Sequence, residues 1–292
     1  MRPERDPNAV RARRNVYLAG ADVPAEASAR YALLVRAAHR TLTADHVFSH
    51  ESALVLLGLP SLRGWPKVVH LICERRSGGR SQLDVIRHCV GLEHVQPLLI
   101  DGMLTTSPGR TAFDIALTRQ FADAVVIADA AFRRYPGARA EFAGLVDAYG
   151  RRRGFQKAAA VLRFADQRSG SVGESWSRVE IDRLGFLAPD LQFRVVTDGL
   201  EEFSDFGWPE VLALGEFDGE VKFREDRYRK GGTVEDVVIR EKNRENRLRR
   251  QYPNVARWDW SDIREQRLER ILLQANVPKV RVARYSAPSR GR

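Results

Sequence analysis

The stretch Leu212–Phe223, LALGEFDGEVKF, decides how the chain is read. It opens as a buried strand, with apolar residues and a glycine. It then sets Glu216 and Asp218 two residues apart, with Lys222 close behind. Residues two apart on a strand share a face and sit roughly 7 Å from each other, so both carboxylates project together from the strand's end. Asp205 lies on the preceding predicted strand, EFSDFGWP. If the two strands pair as an antiparallel hairpin around Pro209, the spacing brings Asp205 near Glu216. Carboxylates converging there repel one another when unpaired, which raises at least one carboxyl pKa. A hard divalent cation relieves the repulsion, since Mg²⁺ takes one or two carboxylates plus waters and a substrate phosphate. Such an ion activates water and neutralises charge on a cleaved phosphodiester. Two structural readings compete with this one. The acids pair with arginines at a strand end, or Asp218-Gly219 is simply a turn dipeptide.

The surrounding pattern places this strand in a helix-and-sheet module. ESWSRVEIDRLGF reads as an amphipathic helix, and DLQFRVV alternates as a strand with Leu191, Phe193 and Val195 on one face. After the strand of Glu216 come a long charged helix, TVEDVVIREKNRENRLRRQY, a strand, NVARWDW, and one last helix, SDIREQRLERILLQA. Ser171 and Glu174 fit the S-x-x-E capping box. Glu174 is therefore either a helix cap or a further member of the acidic cluster.

The first half reads differently. RRNVYLAG (Arg13–Gly20) is a short strand. Helices follow at PAEASARYALLVRAAHRTL and SHESALVLLGLP, the second with Ser49 as cap. PKVVHLIC and LDVIRHCV are strands, and LLIDGMLTTS turns at Asp101-Gly102. SPGRTAFDIALT starts a helix with Ser107 as cap and Pro108 in the first turn. Three more helices lie at FADAVVIADAAFRR, ARAEFAGLVDAYG and GFQKAAAVLRFAD. The polar, glycine-rich DQRSGSVG (Asp166–Gly173) marks the boundary. The expected domains are a basic arm over 1–20, an α+β domain over 21–168 and a second domain over 169–292, giving an α/β fold class.

Composition narrows the partners. With 48 Lys and Arg against 38 Asp and Glu, the 292-residue chain carries a formal charge of +10. That balance favours a polyanion, most simply nucleic acid, against the plainer reading of a solvated basic surface. Arg11, Arg13 and Arg14 in the arm, and Arg240, Arg244, Arg247 and Arg249 on the long helix, are candidate phosphate contacts. Intrahelical pairs such as Glu245 with Arg249 are the alternative. Two cysteines, Cys73 and Cys89, have no metal-like spacing, and a disulfide framework is not expected. His39 and His50 also lack metal-site spacing. With no apolar run long enough to span a bilayer and no signal-peptide pattern, the expectation is a soluble cytoplasmic protein without a membrane partner. Arg110 and Asp114, four apart, should pair along one helix.

Two resemblances sharpen these readings. SVGESWSRVEIDRLGF…LQFRV…FSDFGWPEVLALGEFDGEVKF…REKNRENRLRR…VARWDWSDI, about residues 170–265, resembles the very short patch repair (Vsr)-like branch of the PD-(D/E)XK nuclease superfamily. The resemblance implies an αβββαβ restriction-endonuclease-like core with Glu174, Asp205 and Glu216 as its acidic positions. It further implies Asp205 and Glu216 as ligands of Mg²⁺ or Mn²⁺. The superfamily's usual E-x-K has Asp218 at the lysine position here, leaving Lys222 or Lys242 to supply positive charge. VFSHESALVLLGLP with TTSPGRTAFDIA, within about residues 10–165, resembles the AbiEi-type antitoxin and transcriptional-regulator family, AVRARRNVYLAG being similar to its last wing strands. Together they imply a prokaryotic DNA-acting protein that cleaves phosphodiesters with a divalent metal in defence or repair. The alternative is a non-catalytic DNA-binding regulator, or an antitoxin with a cognate toxin, that keeps a nuclease fold as scaffold.

Overall fold

The computed structural model describes residues 9–13, 16–19, 23–42, 46–74, 84–90, 95–150, 153–219 and 234–280. The chain is of the α/β class and divides into two compact units, Met1–Ala165 and Asp166–Arg292.

In unit 1, the strand read over Arg13–Gly20 is β2 (Val16–Ala19), and it pairs antiparallel with β1 (Ala9–Arg13) just upstream. Both strands lie in the basic arm, and strand propensity alone does not reveal the pairing. Helix α1 (Ala27–Thr41), β3 (Val47–Phe48) and α2 (His50–Leu56) follow. Next come β4 (Val69–Ile72), β5 (Val85–His88), β6 (Leu98–Ile100) and β7 (Met103–Thr105). The mixed sheet has the order β5-β4-β3-β7-β6. Tyr31, Val35, Phe48, Val69, Leu71, Val85 and Met103 form its core. Asp101 and Gly102, both at positive φ (49° and 77°), make the tight turn between β6 and β7, the conformation that an Asp-Gly pair favours.

Four helices complete the unit: α3 (Pro108–Thr118), α4 (Phe121–Arg134), α5 (Ala138–Tyr149) and α6 (Phe155–Phe164). Ser49 and Ser107 occupy the N-cap positions of α2 and α3, but neither side chain caps its helix. Ser49 Oγ meets the His50 ring at 3.1 Å. Ser107 Oγ donates to Glu141 of α5, whose other carboxylate oxygen accepts the Gly109 N–H at 3.2 Å. A carboxylate from a neighbouring helix thus takes over the capping work. Gly109 permits that approach, because a Cβ there would lie 2.5 Å from the Ala138 carbonyl oxygen.

Unit 2 runs α7 (Val172–Arg183), β8 (Asp190–Thr197), β9 (Leu200–Trp208), a 3₁₀ turn at Pro209–Val211 and β10 (Ala213–Phe217). It continues with α8 (Val234–Gln251), β11 (Asn254–Trp258), α9 (Trp260–Arg264) and α10 (Leu268–Gln274). The helix expected as one over Ser261–Ala275 is two, broken where Gln266 adopts φ 59°. The sheet order is β11-β10-β9-β8, an antiparallel meander with β11 added parallel to β10. One cluster stacks Phe206, Trp208 and Trp258 with Ile181, Ile263, Leu268 and Leu272. A second joins Val195 and Leu214 to Leu248 of α8. The glycine of LALGEF is a packing device: a Cβ on Gly215 would meet the Trp258 ring at 2.7 Å and the Trp208 ring at 3.0 Å. Among the described residues, no helix is long and apolar enough to cross a membrane.

Candidate active site

The β9–β10 ladder pairs Ala213 with Trp208, Leu214 with Gly207 and Gly215 with Phe206, and stops there. One residue further along that register, Glu216 would face Asp205. At this point side chains replace backbone partners. Ser204 Oγ donates to the Gly215 carbonyl at 3.0 Å, and Asp205 Oδ2 accepts the Phe217 N–H at 2.9 Å. On its other edge β10 stays paired with β11 through Phe217↔Trp258, and Asp218 N–H donates to the Trp258 carbonyl at 2.8 Å. The sheet therefore opens between β9 and β10 at the position of the two acids. Asp205 is buried, at 8% exposure.

Glu216, Glu202 and Asp218 are each paired with an arginine. Arg244 of α8 donates through Nη2 to Glu216 Oε1 at 3.0 Å and to the Phe203 carbonyl at 2.6 Å, while its Nε lies 3.4 Å from Glu202. Arg247 pairs with Glu202 as well. Arg257 of β11 forks onto Asp218 with two hydrogen bonds of 3.1 Å. Burial raises the Glu216 carboxyl above the ordinary range, with Arg244, Arg257 and Ser204 acting in the opposite sense. The expected rise is present, but its leading cause is desolvation and not a neighbouring like charge.

Glu174 stands in the first turn of α7. Its N–H donates to Ser171 Oγ at 3.1 Å, as a capping box requires. Its carboxylate accepts from Gly170 N–H at 2.6 Å and from Gln192 Nε2 at 3.0 Å, tying the start of α7 to β8. Lys242 is exposed on α8, and Arg249 pairs with Glu245 one turn away. Arg240 lies on α8, and Arg11 and Arg13 on β1. Arg14 and Lys222 fall outside the described residues. Among the described residues, no group of three or more His, Cys, Asp or Glu is arranged to hold a metal ion. At the strand end Glu216 pairs with Arg244 and Asp218 with Arg257, while Asp205 accepts the Phe217 N–H. Asp205 and Glu216 remain as the two acids at the opening.

Gly173 sets how closely α7 approaches this strand. A Cβ there would lie 1.9 Å from Cε1 of Phe217, the residue after Glu216. Gly173→Ala is expected to destabilise unit 2 by about 1–3 kcal/mol through overpacking, and Phe217→Leu should recover much of the loss. Denaturant titration of the single and double variants checks this. Equal losses with and without the second substitution would show that the ring is not the obstacle.

Unit 1 holds a polar cluster that the spacing did not signal. His50 stacks on His88 with ring centroids 3.7 Å apart, and His70 Nδ1 meets His88 Nε2 at 2.9 Å. His70 Nε2 lies 3.4 Å from Glu51, which also pairs with Arg119. Burial drives His70 and His88 down to about 4 and His50 well below its usual value. Nothing in a linear sequence places residues 50, 70 and 88 together; that follows from the β3–β4–β5 pairing.

The chain matches no protein-family model and no solved structure. It is similar to two curated Mycobacterium tuberculosis proteins, Uncharacterized protein MT2308 (strain CDC 1551 / Oshkosh) and Uncharacterized protein Rv2248 (strain ATCC 25618 / H37Rv). Each is 33% identical over 120 residues, which is 41% of this chain and 44% of the relative. The chain thus spans less than half the length of the curated relatives it matches.

Proposed function

We propose that unit 2 acts on DNA as a metal-dependent phosphodiesterase with Asp205 and Glu216 at its centre. The observation that carries the reading is the opening of the β9–β10 ladder at these two acids, in a unit whose elements run helix, three strands, helix, strand. The donor set suits Mg²⁺ or Mn²⁺, because two carboxylates suffice when water and a phosphate complete the sphere. When bound, the ion supplies an activated water and neutralises charge on the phosphate. Asp205 is oriented by the Phe217 N–H, and Glu216 is held by Arg244. Arg244 provides fixed positive charge beside Glu216, the task that the in-strand lysine of E-x-K performs in the superfamily. Asp218, locked to Arg257, orients β10 against β11. The exposed Lys242 and the +10 balance favour the approach of a polyanion.

The test is cleavage of supercoiled, linear, mismatched and single-stranded DNA with Mg²⁺ or Mn²⁺. Glu216→Gln and Asp205→Asn should each reduce the rate by about 10²-fold or more while the protein stays folded. The second reading, a non-catalytic DNA-binding scaffold, is favoured by the pairing of Glu216 and Asp218 with arginines. It takes over if the protein binds DNA in a salt-dependent way yet cleaves none of these forms and gains no thermal stability from either ion.

A further inference from the structure

We propose that Cys73 and Cys89 of unit 1 are a redox pair that closes to a reversible disulfide. Strands β4 and β5 are parallel neighbours with Ile72 opposite His88, so Cys73 and Cys89 are the next pair in register. The Cys73 N–H donates to the His88 carbonyl at 3.1 Å, which extends the pairing to the cysteines themselves. Adjacent strands lie about 4.8 Å apart, inside the roughly 4.4–6.8 Å Cα window that a disulfide needs. The two Sγ atoms are 2.8 Å apart, and both residues are partly exposed thiols. A sulfur movement of less than ~1 Å then brings them to the ~2.05 Å bond length without moving the backbone. Among the described residues β5 is an edge strand of its sheet, and both cysteines are partly exposed, so a small oxidant can reach the pair. Residue spacing gave no hint of this, because the two cysteines are brought together only by the strand register.

The oxidant class is a hydroperoxide, with hydrogen peroxide as the probe. One thiolate attacks a peroxide oxygen, the O–O bond breaks, and hydroxide leaves to be protonated to water, giving a sulfenic acid. The second cysteine's thiolate attacks that sulfur, the S–O bond breaks and a second water leaves. Two thiols lose two electrons and two protons in all, and one peroxide becomes two waters. A dithiol reductant returns the pair to its starting state. A bond of this kind in a reducing compartment is a sensor more than a staple.

The experiment treats the full-length protein with hydrogen peroxide in chelator-containing buffer, folded and in guanidinium. The readouts are thiol titration, intact mass and peptide mapping. The folded monomer should lose both thiols together, become two hydrogens lighter and yield a peptide linking residues 73 and 89. It should do so about 10-fold or more faster than the unfolded chain, because the fold holds the sulfurs in contact. Dithiothreitol should reverse the change, while Cys73→Ser and Cys89→Ser should each stop at the sulfenic acid or beyond. The proposal is overturned if the folded protein forms only intermolecular links, if its cysteines oxidise independently, or if folding confers no rate advantage.

Discussion

Replacing Arg110 by methionine is expected to destabilise unit 1 by about 3–5 kcal/mol, enough to unfold a marginal domain. Helix α3 is buried from Pro108 to Ala116, and Arg110 and Asp114 retain only 1% and 3% of their side-chain exposure. Arg110 Nε donates to both Asp114 oxygens at 2.9 and 3.0 Å. Even so paired, Asp114 is pushed up to about 6 by burial. Without the guanidinium, its carboxylate must either stay charged in an apolar setting or take up a proton at neutral pH, and both are costly. Removing both partners together is a different matter, since a well-packed apolar pair replaces a buried ion pair with little loss. Arg110→Met with Asp114→Leu should therefore recover most of what the single substitution loses. Urea titrations of the wild type and the single and double variants test this. A single-variant loss below about 1 kcal/mol, or a double variant as unstable as the single, contradicts the account.

This pair also shows what the sequence makes legible. Spacing within one element is informative: Arg110 and Asp114, the Asp101-Gly102 turn and the Ser171 cap on the Glu174 N–H all appear where periodicity and turn chemistry place them. Helix α4 has the bounds that its pattern suggested. Partnerships between elements are a different matter. Glu202 of β9 neutralises Arg247 of α8 across 45 residues, and Arg257 takes Asp218 across 39. A string of charges on one helix therefore overstates how many remain open to phosphate. The same limit applies to Gly173 and Gly215, which read as ordinary glycines until Phe217, Trp208 and Trp258 are seen to fill the space where their Cβ atoms would stand. It applies again at Gln266, where a left-handed residue without a glycine or proline signal splits the final helix.

Unit 1 is also expected to lose stability as the pH falls from about 6.5 towards 4, because of the stacked imidazoles. His70 and His88 are held near 4 against an ordinary 6.5, by burial first and then by surrounding positive charge, including Arg119. In this window the unfolded chain binds protons at these rings and the folded chain does not. Stability therefore rises with pH through the window and is fully present above about 6.5. A shift of this size corresponds to about 3 kcal/mol for each ring as an upper figure. His50, fully buried and facing His70, His88, Arg110 and Arg119, acts in the same direction. Asp114 acts in the opposite one: its folded value near 6 lies above its ordinary 3.8, so its contribution falls as pH rises between those values and offsets about one imidazole. Glu51 favours the charged form of His88 but is outweighed by burial. Comparing stability at pH 7 and pH 5 for the wild type and a His70→Gln, His88→Gln variant isolates the rings from Asp114. The variant should show a slope that is flatter by several kcal/mol over the window, whatever its absolute stability. Imidazole resonances followed by NMR should show His70 and His88 still neutral at pH 5.5. Titration of both near 6.5, with equal pH slopes in the two proteins, would mean that the stack is open to water and carries no such dependence.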